Sequence, residues 1–196
     1  MRLDLKRLSV ADAAAETAGF LRALGSVAIV PTETVYGMVS RVTPEGAERI
    51  YSLKRRAGSK RLGWFVGDWR GLEKYGVVFT PAVRKLAERF MPGAITVIAP
   101  TRDGGGIGFR MPDHPFLSAL LVAMDEPLLQ TSANLSGAPD SLTLDDALKE
   151  LDGTVEVAVD GGELPPESLA STVVDARTEE LHILRQGALK LDLRDL

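Results

Sequence analysis

The sequence predicts an α/β fold, a mixed β-sheet flanked by helices. Short apolar runs of strand length alternate with stretches of helical periodicity, and hydroxyl residues stand as caps ahead of several helical stretches. Two β-rich runs on either side of Gly104-Gly105-Gly106 read as an antiparallel hairpin, which makes the sheet mixed.

The elements follow in order. Ser9-Val10-Ala11-Asp12 has the form of a capping box, with Asp12 in the usual Glu or Gln position. Val10, Ala13, Ala14, Thr17, Phe20, Leu21 and Leu24 then recur at helical spacing until Gly25. Val27 to Val30 suits a buried strand. Thr43-Pro44 caps and opens a helix through Leu53, whose end carries Lys54-Arg55-Arg56. Leu62 to Val66 reads as a strand, and Thr80-Pro81 starts a helix through Phe90. Ala94–Ala99 and Ile107–Arg110 form the hairpin, Pro115–Met124 is helical, and Leu128-Leu129 is extended. Thr143 caps another helix, and strands at Val155–Val159, Thr172–Val174 and Leu181–Leu184 complete the set. No repeat or linker divides the 196 residues, so one domain is expected.

Composition narrows the function. Apolar residues make up 45% and charged residues 26%, the profile of an ordinary soluble protein. Zero cysteines exclude disulfides, thiolate metal sites and cysteine nucleophiles, and two histidines make a structural zinc site improbable. Without a secretory leader or membrane-length apolar run, the expected compartment is the cytoplasm. A net charge of −4 argues against a general polyanion binder. Yet Arg49, Lys54, Arg55, Arg56, Lys60 and Arg61 form a basic island, pointing to a local anionic ligand: a phosphate group or one stretch of RNA.

Three runs carry candidate chemistry: Pro31 to Gly37, Lys54-Arg55-Arg56, and Ser132 to Gly137. Each lies where an apolar run breaks into polar sequence. If they converge, they assemble cations, hydroxyls and an amide, an inventory suited to an ATP phosphate chain beside a small polar co-substrate. The blander readings are a solvated strand end at Glu33, a solvated helix end at Lys54 and Arg56, and a turn at Ser132–Asn134. For Lys54 and Arg56 to reach one ligand the helix must unwind, which Ala57-Gly58-Ser59 suggests. Arg110, at the end of an apolar strand, needs either a substrate carboxylate or a salt bridge to Asp113. His114 reads as a helix cap. A triad of Ser132, His114 and Asp113 is left open by spacing but lacks the Gly-x-Ser-x-Gly elbow. There is no Walker loop, and the triple glycine is no phosphate cradle because no helix follows it.

With these runs in order, the chain resembles the YrdC family, the threonylcarbamoyl-AMP synthases, from about Ser9 to Gly187. The matching motifs are Pro31–Met38, Lys54-Arg55-Arg56, Phe109-Arg110-Met111-Pro112, Ser132-Ala133-Asn134, Ser171–Asp175 and Leu184-Arg185-Gln186-Gly187. The resemblance implies a YrdC-like twisted sheet with an open concave active-site face, in a single domain without an additional C-terminal one. It implies conversion of L-threonine, bicarbonate (or CO2) and ATP, with Mg2+ arriving on ATP, to threonylcarbamoyl-adenylate and pyrophosphate, for N6-threonylcarbamoylation of tRNA. It assigns Lys54, Arg56, Ser132 and Asn134 to phosphate binding and catalysis, Lys60 and Arg185 to ATP contacts, and Thr34, Arg110 and Ser171 to threonine. Departures are Ala57–Leu62 in place of a Pro-containing stretch, Lys60 where Asn is frequent, and Phe65 where His is frequent. The alternatives are a YciO-type divergent paralogue, carbamoyl transfer to another acceptor, and a double-stranded RNA or tRNA-binding module without synthase activity. Implied partners are tRNA or a downstream threonylcarbamoyl transferase complex.

Overall fold

The computed structural model describes residues 1–55, 57–58, 61–192 and 194. Among these, ten strands form one mixed sheet in the order β1-β8-β2-β3-β7-β4-β6-β5-β9-β10. The strands are β1 (Arg2–Asp4), β2 (Val27–Val30), β3 (Gly37–Arg41), β4 (Gly63–Phe65), β5 (Ile95–Pro100), β6 (Gly106–Arg110), β7 (Leu128–Ser132), β8 (Val157–Asp160), β9 (Thr172–Asp175) and β10 (His182–Arg185). The helices are α1 (Val10–Leu21), α2 (Pro44–Leu53), α3 (Pro81–Phe90), α4 (Pro115–Met124) and α5 (Leu144–Lys149). The hairpin is present, with Val97 opposite Phe109 in antiparallel register, while β4 and β6 run parallel.

Local chemistry sets the helix starts. The hydroxyls of Ser9, Thr43, Thr80 and Thr143 accept backbone N–H bonds within the first turns of α1, α2, α3 and α5. Pro44 and Pro81 open their helices where no N–H is needed. His114 occupies the α4 cap position but makes no side-chain cap bond, so that expectation holds for position only. Helix α1 stops at Leu21, short of the Leu24 read from periodicity. Leu24 is 67% exposed, so burial does not reward another turn before Gly25 turns left-handed at φ 73°.

Helices α1 and α4 cover one face of the sheet over β8, β2 and β3, burying Leu21, Val30, Val39, Phe116 and Leu120. Helices α2 and α5 cover the opposite face there, against Ile29, Met38 and Leu129. Helix α3 and a 3-10 turn (Trp69–Tyr75) bury Val97, Phe109 and Val174 on that opposite face further along. On the other side, Phe65 of β4 and Leu128 of β7 still pack in the cluster under α1 and α4, and beyond them the cavity opens over β7, β4, β6, β5 and β9.

Candidate active site

Glycine makes the cavity. Strand residues facing this side include Gly37, Gly63, Gly106 and Gly108, where side chains would otherwise fill the space. The result is an open cavity of about 330 Å³ whose polar lining includes Thr34, Arg110, Gln130, Ser132, Ser171 and Arg185. Of the three runs, Pro31–Gly37 and Ser132–Gly137 reach it, through Thr34 and Ser132, while Lys54 packs against the second run without lining the cavity. Gly37 pairs with Ser132 across β3 and β7, Ala133 N–H donates to Tyr36 O at 2.8 Å, and Ser136 N–H donates to Lys54 O at 3.2 Å.

At one end sits Arg110, 3% exposed. Its Nε donates to Gly93 O at 3.1 Å and its Nη1 to Thr34 Oγ1 at 3.0 Å. Thr34 is held by Thr32, whose hydroxyl lies 2.9 Å from Thr34 Oγ1 and accepts the Thr34 N–H at 2.9 Å. The Arg110 guanidinium also lies 5.7 Å from the Phe65 ring centroid. Its ion pair is with Glu33 at 2.6 Å, not with Asp113, which instead donates its backbone N–H to Glu33 Oε1 at 2.8 Å. Glu33 is therefore no solvated strand end. The ion contact is misaligned as a hydrogen bond, leaving Arg110 Nη2 and Glu33 Oε2 buried and without a hydrogen-bond partner.

At the other side of the cavity, Arg185 Nε donates to Ser171 O at 2.9 Å and Nη2 to Ser171 Oγ at 3.3 Å. Ser171 Oγ also lies 2.9 Å from Thr96 Oγ1. Burial, and secondarily the like charge of Arg110, lowers the Arg185 pKa, while Asp140 raises it. Arg185 forms no ion pair among the described residues. Gly187 allows this arrangement by close approach: a Cβ there would lie 2.1 Å from Ala170 O.

Lys54 is 1% exposed, and its ammonium donates to the carbonyls of Ser132 and Asn134, with Asn134 Oδ1 at 3.4 Å. The reading of a solvated helix end does not fit Lys54. Helix α2 ends at Leu53, and the chain leaves through Arg55 at φ 46°, earlier than the Ala57–Ser59 unwinding read from sequence. Ser132 Oγ donates to Asn134 Oδ1. Arg56, Ser59 and Lys60 lie outside the described residues. Other members of the basic island also have structural partners: Arg49 donates to Thr154 O, Arg55 pairs with Asp152 at 2.8 Å, and Arg61 donates to Gly106 O at 2.8 Å.

The Ser-His-Asp alternative is not assembled. Ser132 Oγ is bonded to Asn134, and His114 Nδ1 is buried with no hydrogen-bond partner. Sequence reading missed Thr32, Thr96 and Gln130 as site residues. The polar Thr32 and Thr96 within apolar strand surroundings were the available signal; Gln130 lay one residue beyond the predicted strand end. Among the described residues, no group of three or more His, Cys, Asp or Glu converges as a metal site. No helix there is long and apolar enough to cross a membrane.

The fold is a mixed α/β sheet, and the arginine-lined hollow on one of its faces is suited to an anionic ligand. The chain belongs to the Sua5/YciO/YrdC family, whose model, described as telomere recombination, matches residues 21–187. It is 31% identical over 185 residues to a Pyrococcus abyssi threonylcarbamoyl-AMP synthase, covering 89% of this chain and 54% of that protein. A human threonylcarbamoyl-AMP synthase is 31% identical over 204 aligned positions, covering 91% of this chain and 72% of the human protein. The crystal structure of P. abyssi Sua5 complexed with L-threonine superposes at a TM-score of 0.86 with 27% identity, covering 96% of this chain and 58% of that one. The YciO structure from E. coli, at 20% identity and a TM-score of 0.82, shares the fold. The chain spans about half the length of several of these relatives, including 53% of a Bacillus subtilis synthase.

Proposed function

We propose that this chain is an L-threonylcarbamoyladenylate synthase, a nucleotidyltransferase that uses L-threonine, bicarbonate and Mg-ATP and releases pyrophosphate. The observation that carries the reading is the pair of arginines, Arg110 and Arg185, that line one cavity together with Thr34, Ser132 and Ser171. The names of the relatives and the threonine complex of P. abyssi Sua5 support it.

Arg110 receives the threonine carboxylate, with Thr34 and Ser171 nearby for the polar side chain and amine. Ser132, Asn134 and Lys54, together with Arg56, Lys60 and Arg185, receive the nucleotide and its phosphates. The buried Lys54 ammonium contributes positive potential at the Ser132–Asn134 turn, and Mg2+ enters as part of the ATP substrate. Threonine amine and bicarbonate give a carbamate and water. A carbamate oxygen then bonds to the α-phosphorus while the α–β bridging P–O bond breaks and its electron pair leaves with pyrophosphate. Such a step requires positioning and charge neutralisation, which fixed donors supply, rather than a protein nucleophile. The adenylate would pass its threonylcarbamoyl group to tRNA through a transferase complex.

Pyrophosphate release tests this. The reading requires release that depends on ATP, bicarbonate and L-threonine together; a folded protein that binds ATP without threonine-dependent release contradicts it.

A further inference from the structure

Gln130 is a long polar side chain on the cavity floor, outside the set that receives threonine and nucleotide. The register orders that floor into rows. Arg110 of β6 lies beside Phe65 of β4, which lies beside Leu128 of β7. One row along, Gln130 of β7 lies beside Gly63 of β4, and the next step of the β4–β6 ladder sets Gly108 beside Gly63. A further row along, Ser132 lies beside Gly37. Each two-residue step along a strand is about 7 Å. Gln130 thus occupies the row between the Arg110 end and the Ser132 end; on its β3 side it lies beside Val39, and on its β4 side the row continues through Gly63 and Gly108, which have no side chains.

Its amide extends over that gap. A Cβ on Gly63 would lie 2.4 Å from Gln130 Nε2. Among the described residues the amide makes no hydrogen bond, and it lines the cavity. A glutamine side chain offers two donors and an acceptor, so this is an unused hydrogen-bonding group midway along the floor.

We infer that Gln130 binds the one-carbon unit of the reaction, the carbamate formed from threonine and bicarbonate. The inference rests on the synthase reading: with the threonine carboxylate at Arg110 and the α-phosphate near Ser132, the atoms that join them lie over the middle row. Gln130 Nε2 donates to the carbamate oxygen that does not attack phosphorus. The other oxygen forms the new P–O bond as pyrophosphate departs with the electrons of the broken one. The hydrogen bond holds the carbamate plane for in-line attack and retains an intermediate that otherwise reverts to amine and bicarbonate.

The test uses Gln130→Leu, which keeps bulk and removes the amide, and Gly63→Ala, which keeps the amide and displaces it. Pyrophosphate release is measured against bicarbonate concentration, and L-threonine and ATP binding by calorimetry. The expected result is a loss of about tenfold or more in kcat/KM for bicarbonate in both variants, the worth of one hydrogen bond to a charged group. Threonine and ATP binding stay within about twofold, which separates the effect from loss of the fold. Gln130→Leu with wild-type bicarbonate kinetics, or with threonine and ATP binding lost in parallel, overturns the inference. Wild-type protein that shows no bicarbonate-dependent release overturns the synthase reading itself, and this assignment with it.

Discussion

Glu33 approaches Arg110 to 2.6 Å yet leaves Nη2 of that arginine without a hydrogen bond. Glu33 does not line the cavity and Arg110 does. The carboxylate therefore compensates the buried cation, while the Arg110 side chain itself borders the cavity that an incoming carboxylate would enter. Two substitutions separate these roles. Arg110→Lys keeps a charge but loses the planar fork, and the threonine KM rises about tenfold, one charge-assisted hydrogen bond. Arg110→Ala leaves Glu33 partly buried and unpaired, costing about 3 kcal/mol in urea unfolding. An unchanged threonine KM in Arg110→Ala removes Arg110 from the substrate site.

Ser171 joins two parts of the cavity wall, meeting Thr96 through one hydroxyl contact and Arg185 through another. Ser171→Ala removes both but keeps the Ser171 carbonyl that accepts from Arg185 Nε. The expected loss of stability is about 1 kcal/mol, with weaker binding of both threonine and ATP. Equilibrium unfolding and calorimetry on the same preparation measure the two effects.

Lys54 has a structural duty as well as a charge. Lys54→Met leaves the Ser132 and Asn134 carbonyls without this ammonium donor. A cost of about 3 kcal/mol follows from two such losses in a buried turn. Nucleotide binding should fall with it. Wild-type urea stability in this variant would mean that the Ser132–Asn134 turn stands without the ammonium.

His114 makes stability depend on pH. Burial lowers its pKa from the ordinary 6.5, with Glu33 and Asp113 opposing the shift. A depressed value in the fold means the unfolded chain binds the proton more readily. The histidine's contribution is fully present above pH 6.5 and is lost as pH falls toward its folded pKa. Melting temperatures measured across this range should fall on the acid side in wild type and fall less in His114→Leu. Parallel curves for the two proteins would remove His114 as the cause.

Much of this molecule was legible in its sequence because helix starts are local events. Ser9, Thr43, Thr80 and Thr143 each cap through a bond closed within three residues. Strands were harder where pairing supplies the order. β1 is three residues long and β3, Gly37–Arg41, is buried at all but its last position, so neither shows a two-residue alternation. The motif runs indicated where the site lies, but not the bonds within it. The Glu33–Arg110 contact joins loop and strand across the fold, and sequence adjacency favoured Asp113 instead. Gln130 carries no signal of its own in the sequence, because the apolar run that marks β7 ends at Leu129, before the strand reaches the cavity.

The most direct test of the central claim identifies the nucleotide product by mass after incubation with Mg-ATP, L-threonine and isotopically labelled bicarbonate. The expected product is threonylcarbamoyl-AMP carrying the label, formed together with pyrophosphate and absent when threonine is withheld. Unchanged ATP, or a product without the labelled carbon, contradicts it.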